Sequence, residues 1–133
     1  MRTGFILSIF IWVFNACSYG SSVNNDSLLI GTWKGTSICQ VKPSPCNDDI
    51  AVYHITKGTK TNTYHMLMNK LVNGVEEEMG ENDYTFNAAD NSLFCYNEKY
   101  RITIKLTLKG DAMEGSLYAD KTLYRVIKLK KEK

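Results

Sequence analysis

Two histidines, His54 and His65, are the side chains of this 133-residue chain best suited to proton transfer or metal binding near neutral pH. They fall on neighbouring predicted strands and could meet as a metal pair. No third ligand accompanies them at a fixed offset, and Cys39 and Cys46, with six residues between them, lack the close spacing of a zinc knuckle. Glu76, Glu77, Glu78, Glu81 and Asp83 would suit calcium or paired-carboxylate catalysis. They lie on a hairpin whose other face is apolar, which is the pattern of a solvated edge that discourages aggregation. The chain has no Gly-rich phosphate loop, no Gly-x-Ser-x-Gly elbow and no His-Glu-x-x-His. No catalytic residue, metal site or cofactor is therefore expected.

Cysteine chemistry is more informative. Cys39 and Cys46 bracket Gln40-Val41-Lys42-Pro43-Ser44-Pro45, a Pro-containing link between two predicted strands, and in an oxidising compartment this spacing suits a loop disulfide. Cys95 is then the odd thiol, pointing inward as a buried, inert side chain. The candidate ligand-binding residues are Tyr64, Met66, Met68 and Met79, which share one face if the hairpin at Asn73-Gly74 is in simple register. Met adapts to varied apolar partners and Tyr adds a hydrogen bond, although the same residues also fill small cores.

The elements that must position these groups are strands. Short runs rich in Val, Ile, Tyr, Thr and Leu are separated by turn residues, with no sustained helical periodicity. Eight strands are predicted near Ile30–Cys39, Ile50–Lys57, Asn62–Val72, Val75–Phe86, Ser92–Tyr96, Tyr100–Leu108, Ala112–Tyr118 and Leu123–Lys130. Asn73-Gly74 fits a type I′ turn, which sets Val72 against Val75, Lys70 against Glu77 and Met68 against Met79. A turn at Asn97-Glu98 sets Cys95 against Tyr100 and Leu93 against Ile102; one at Gly110-Asp111 sets Leu108 against Met113 and Ile104 against Leu117. Near Asp120, a three-residue turn puts Leu123, Arg125, Ile127 and Leu129 inside, whereas a two-residue turn puts Tyr124 and Val126 there. Ile102, Ile104, Leu106 and Leu108 alternate with polar partners, so one face is buried and one wet. Such a meander closes into an up-and-down barrel or stacks as a sandwich.

Upstream, the apolar run from Phe5 to Phe14 behind Arg2 has the length of a signal-peptide core, too short to span a bilayer. Residues 1–20 read as a signal peptide cut after Gly20. Alternatively, residues 1–16 are a lipoprotein signal, because Ala16-Cys17-Ser18 resembles a bacterial lipoprotein cleavage box with Cys17 as the acylated first residue. Residues 21–28 read as a flexible tether, and Asp26-Ser27-Leu28 within it resembles a bacterial O-glycosylation signal as well as an ordinary solvated linker. Residues 29–133 are long enough for one core. Basic and acidic side chains nearly balance and no Lys/Arg cluster can track phosphates, so nucleic acid is not an expected partner. The final Lys128, Lys130, Lys131 and Lys133 read as a solvated strand end.

Gly31-Thr32-Trp33-Lys34-Gly35, opening the first strand, resembles the G-x-W start of the lipocalin and calycin superfamily, and Arg125 on the last strand resembles that family's Arg laid across the Trp. The resemblance implies an all-β, lipocalin-like barrel of about eight antiparallel strands in which Trp33 closes one end and Arg125 stacks on it. It looks most like bacterial secreted or lipoprotein members. Three functions are compatible with such an exported barrel. One is binding of a small apolar ligand, and another is a protein-binding or inhibitor module acting through the loop 41–49. The third is an enzyme on the same barrel, with the two histidines in a polar cleft. The membrane would be met only through a lipid on Cys17, in a cell-envelope or secreted protein.

Overall fold

A computed structural model describes residues 25–133 apart from Lys42 and Ser44. The signal segment, Cys17 and the first part of the tether lie outside the described residues. The chain forms a short helix α1 (Asn25–Leu29) and eight strands: β1 (Gly31–Cys39), β2 (Asp49–Lys57), β3 (Thr63–Val72), β4 (Val75–Asn87), β5 (Ser92–Asn97), β6 (Ile102–Lys109), β7 (Ala112–Ala119) and β8 (Thr122–Lys131). Each strand pairs antiparallel with the next and β8 returns to β1, closing an up-and-down barrel. Closure satisfies the backbone of both terminal strands, so the expected edge is absent where the ladders run. Period-two alternation fills the interior: Trp33, Ile55, Met66, Tyr84, Leu93, Ile104, Leu106, Met113 and Ile127 are essentially inaccessible.

The end of the tether is helix, not linker. Its Leu29 is fully buried in the core because α1 caps one end of the barrel. Gly35 is required for closure: a Cβ there would lie 1.8 Å from the Lys128 carbonyl of β8.

Turn chemistry sets most registers. Asn73 and Gly74 take φ of 53° and 78°, as a type I′ turn demands, and Val72 faces Val75 with Lys70 facing Glu77. Leu108 faces Met113 and Ile104 faces Leu117, as expected. The Asn97-Glu98 turn is corrected: Asn97 pairs with Ile102, Cys95 with Ile104 and Leu93 with Leu106. The Asn97 side chain accepts from the Tyr100 N–H at 3.2 Å and Arg101 takes φ of 52°, so four residues make the turn.

Two bulges correct the rest. In β4 the register slips between Met68 and Asn69, which pair with Gly80 and Glu78, so Met79 is the extra residue and does not face Met68. In β8, Tyr118 pairs with Leu123 and Leu117 with Arg125, leaving Tyr124 extra. Ala119 pairs with Thr122, so the turn has two residues, yet the bulge restores the inward parity of Arg125, Ile127 and Leu129.

Candidate functional site

The two ends of the barrel are built differently. At the closed end Trp33 is buried and its indole N–H donates to the Leu29 carbonyl at 2.9 Å, tying α1 to β1. The Asp26 carboxylate accepts from the Tyr64 hydroxyl at 2.5 Å and from Lys57 at 2.8 Å. The hydrogen bond from Lys57, then that from Tyr64, holds the Asp26 carboxyl below its ordinary range, and burial with the Asp26 contact pushes the Tyr64 phenol up to about 12. Arg125 does not lie on Trp33. β1 pairs Trp33 with Lys131 and Cys39 with Arg125, six residues apart along the strand. The cation at the indole is Lys131, whose Nζ lies 5.9 Å from the ring centroid and donates to the Ser27 and Leu28 carbonyls.

Arg125 instead sits at the other end. Its Nη1 donates to the Ser37 carbonyl and Oγ, each at 3.2 Å, and lies 3.2 Å from the Asp49 carboxylate, with both charged side chains largely buried. Tyr53, two inward positions beyond Asp49 on β2 with Ala51 between them, shares a side-chain hydrogen bond with Ser37, and burial pushes its phenol up to about 12. Ser37, Tyr53 and Asp49 were not candidates from the sequence. The available signal was parity, since positions 37 and 53 fall on the faces that carry Trp33 and Ile55.

Ser37, Tyr53 and Arg125 of this cluster floor a cavity of about 200 Å³ that is open on one side, with Asp49 behind Arg125. Its apolar walls are Met68, Met79, Tyr100, Ile102, Ile104 and Leu117. β4 and β5 make the opening: they pair only from Thr85–Phe94 to Asn87–Ser92, so the rest of β4 leaves β5. Across that gap the strands are linked side chain to side chain, the Asn97 amide donating to the Asn82 carbonyl oxygen at 3.1 Å. The Met79 bulge bends the wall at this gap and turns Met79 toward the opening, where it is about 42% exposed.

Of the four sequence candidates, Met68 and Met79 line the cavity. Tyr64 and Met66 do not: both are buried in the core, and Tyr64 belongs to the closed end. The cavity is also smaller than the roughly 300 Å³ a drug-sized or long fatty molecule requires. Two wider depressions lie on the outer wall. One of them, about 380 Å³, has Lys105 already paired with Asp90 at 3.1 Å, so its charges are spent within the wall.

The histidines do not meet. His54 Nε2 lies 2.6 Å from Glu76 and its Nδ1 lies 3.1 Å from the Thr32 hydroxyl, while His65 reaches Asp83 at 2.8 Å and Glu81 at 3.0 Å. Among the described residues no three His, Cys, Asp or Glu side chains are grouped to hold a metal. Glu76 is thus not a free edge charge: it pairs in the ladder with Leu71 but touches His54, whose ladder partner is Leu67. Four residues of strand span roughly 13 Å, so the β3–β4 hairpin must curl back over β2. Cys39 and Cys46 are bridged, as an oxidising compartment allows, and Cys95 is unbridged and buried. Burial pushes the Cys95 thiol up, away from reactivity.

The chain matches no protein-family model and no curated protein.

Proposed function

We propose that this barrel is an exported binding domain that holds one small molecule in the cavity above Arg125. The observation that supports this reading is an apolar pocket with a preorganised polar floor, reached through a wall that the ladder leaves open. A filled barrel would need neither the missing β4–β5 pairing nor buried Arg, Asp, Ser and Tyr side chains at one end. The cavity volume makes the occupant smaller than a long-chain fatty acid. The test is a backbone NMR titration of the full chain with small-molecule fragments. Shifts confined to Met79–Asn82 and Asn97–Ile102, abolished by Leu117→Trp, are expected; a fragment set that moves none of these resonances overturns the reading.

A protein-binding role for loop 41–49 has its own support. The loop is stapled by Cys39–Cys46, Asp48 accepts from the Cys39 N–H at 2.9 Å, and the flanking Ile38 and Ile50 are exposed. A partner recovered by the intact chain and lost on Ile50→Asp, with the cavity silent in titrations, would favour it. Export as a lipoprotein predicts a lipid-modified Cys17 at the N-terminus by mass spectrometry; an unmodified Ser21 start means a soluble secreted form.

A further inference from the structure

Resting on the binding reading above, we infer that the cavity selects a single neutral aromatic ring bearing one hydrogen-bonding group, and rejects carboxylates. Size comes first. An apolar cavity of roughly 150 Å³ accommodates benzene, and this one offers about 200 Å³, room for one ring with a short substituent. Shape and chemistry agree. The walls combine the thioethers of Met68 and Met79 with the Tyr100 ring and the branched side chains Ile102, Ile104 and Leu117. Sulfur and ring edges favour aromatic faces over acyl chains.

Charge then excludes the obvious anionic ligand. The charged residues lining the cavity are Arg125 and Glu81. Arg125 is already neutralised by Asp49 at 3.2 Å, and Glu81 is held by His65 at 3.0 Å. An entering carboxylate would find a cation whose countercharge is in place and would place a second negative group beside Asp49. Desolvating it there goes uncompensated. A neutral hydroxyl or ring N–H meets no such penalty. The floor offers it the Tyr53 hydroxyl and the Arg125 guanidinium, and Asn82 and Asn97 offer amides at the opening. The buried Asp49–Arg125 pair thereby acts as a charge filter.

The experiment compares probes of nearly one shape: 2-phenylethanol and phenylacetate, with decanoate as the acyl-chain control, each titrated into the full chain and followed at the cavity resonances. 2-Phenylethanol is expected to bind at least about tenfold tighter than phenylacetate, with decanoate silent. Asp49→Asn, which uncovers the Arg125 charge, should reverse the order in favour of phenylacetate. Phenylacetate or decanoate binding the natural chain more tightly than the alcohol overturns the inference while leaving a binding cavity. Failure of all three probes and of the fragment set removes the binding reading itself. If Asp49→Asn does not fold, as judged by near-UV circular dichroism, the natural chain's preference between the two matched probes decides alone.

Discussion

The closed end and the open end of this barrel are made from the same eight strands, yet one is finished as a core and the other as a site. At the closed end a helix supplies Leu29, Trp33 is buried with its N–H satisfied, and the polar Asp26 is turned outward to Lys57 and the Tyr64 hydroxyl. At the open end the interior keeps Arg125, Asp49, Ser37 and Tyr53, and β4 and β5 part. Both bulges, at Met79 of β4 and Tyr124 of β8, lie toward this end on strands four apart around the ring. Bulges re-aim side chains at barrel rims. Here one turns Met79 to the opening and the other restores Arg125 to the interior. The difference teaches that the barrel was closed by packing at one end and left polar and unpaired at the other, where stability is exchanged for access.

The largest way to break this comparison is at the closed end. Trp33→Ala removes the largest fully buried side chain and the link to α1, and should cost about 3–5 kcal/mol, measured by urea unfolding. If the closed end carries the fold, this variant fails before any change at the mouth does.

Next is the buried ion pair. Asp49→Ala strands the Arg125 guanidinium largely out of water and should cost about 3 kcal/mol. A double-mutant cycle should show strong coupling of Asp49 with Arg125, while Arg125→Ala and Trp33→Phe add within about 0.5 kcal/mol. Coupling between Arg125 and Trp33 would return the cation to the indole and dissolve the distinction between the ends. Removing the Cys39–Cys46 bridge, which staples the loop beside Asp49, should cost roughly 2.5 kcal/mol for so short a ring, read from the thermal midpoint with and without reductant. The loss should fall on the mouth resonances and spare Trp33 fluorescence.

How far the two ends were legible follows from what encodes each. The all-β meander, its strand positions and the Cys39–Cys46 bridge could be read because alternation, turn dipeptides and cysteine spacing are local signals. Trp33 as a buried end residue came from the resemblance of Gly31-Thr32-Trp33 to a family motif, and there the structure agrees. The mouth was misread where one inserted residue decides. Gly80, a lone glycine inside the strand pattern, is the local mark of a bulge but does not say which neighbour is extra, so the register extrapolated from Asn73-Gly74 is right through Asn69 and one residue off at Met68. Arg125 followed a family pattern instead of the ladder. Once β8 closes on β1, it is Lys131 that stands opposite Trp33, a lysine that reads as solvated because strand pairing between chain ends has no local signature. The sequence reads Asn97 as a turn centre; its side chain instead caps the turn from the strand end, a use of Asn that composition alone does not separate from the other.

The smallest effect belongs to neither end and supplies the baseline against which both are measured. His65 sits on the outer wall, more than a third exposed, between Asp83 at 2.8 Å and Glu81 at 3.0 Å. The hydrogen bond to Asp83, then that to Glu81, raises its pKa above the ordinary histidine value of 6.5. The folded state therefore holds the proton more tightly than the unfolded chain. The resulting stability is fully present below the unfolded value and is lost as pH rises through the folded one. Solvent screening at this exposure keeps the contribution within about 0–1 kcal/mol. His65→Gln should lower the urea midpoint at pH 5 and leave it nearly unchanged at pH 9, with salt shrinking the difference. Beyond the local change at Glu81, which His65 contacts, neither Trp33 fluorescence nor the Asn97–Ile102 resonances across the mouth should respond at either pH. A shift at Asn97–Ile102 on His65→Gln would mean that Glu81, a lining residue released from His65, turns across the mouth. The outer wall would then belong to the site.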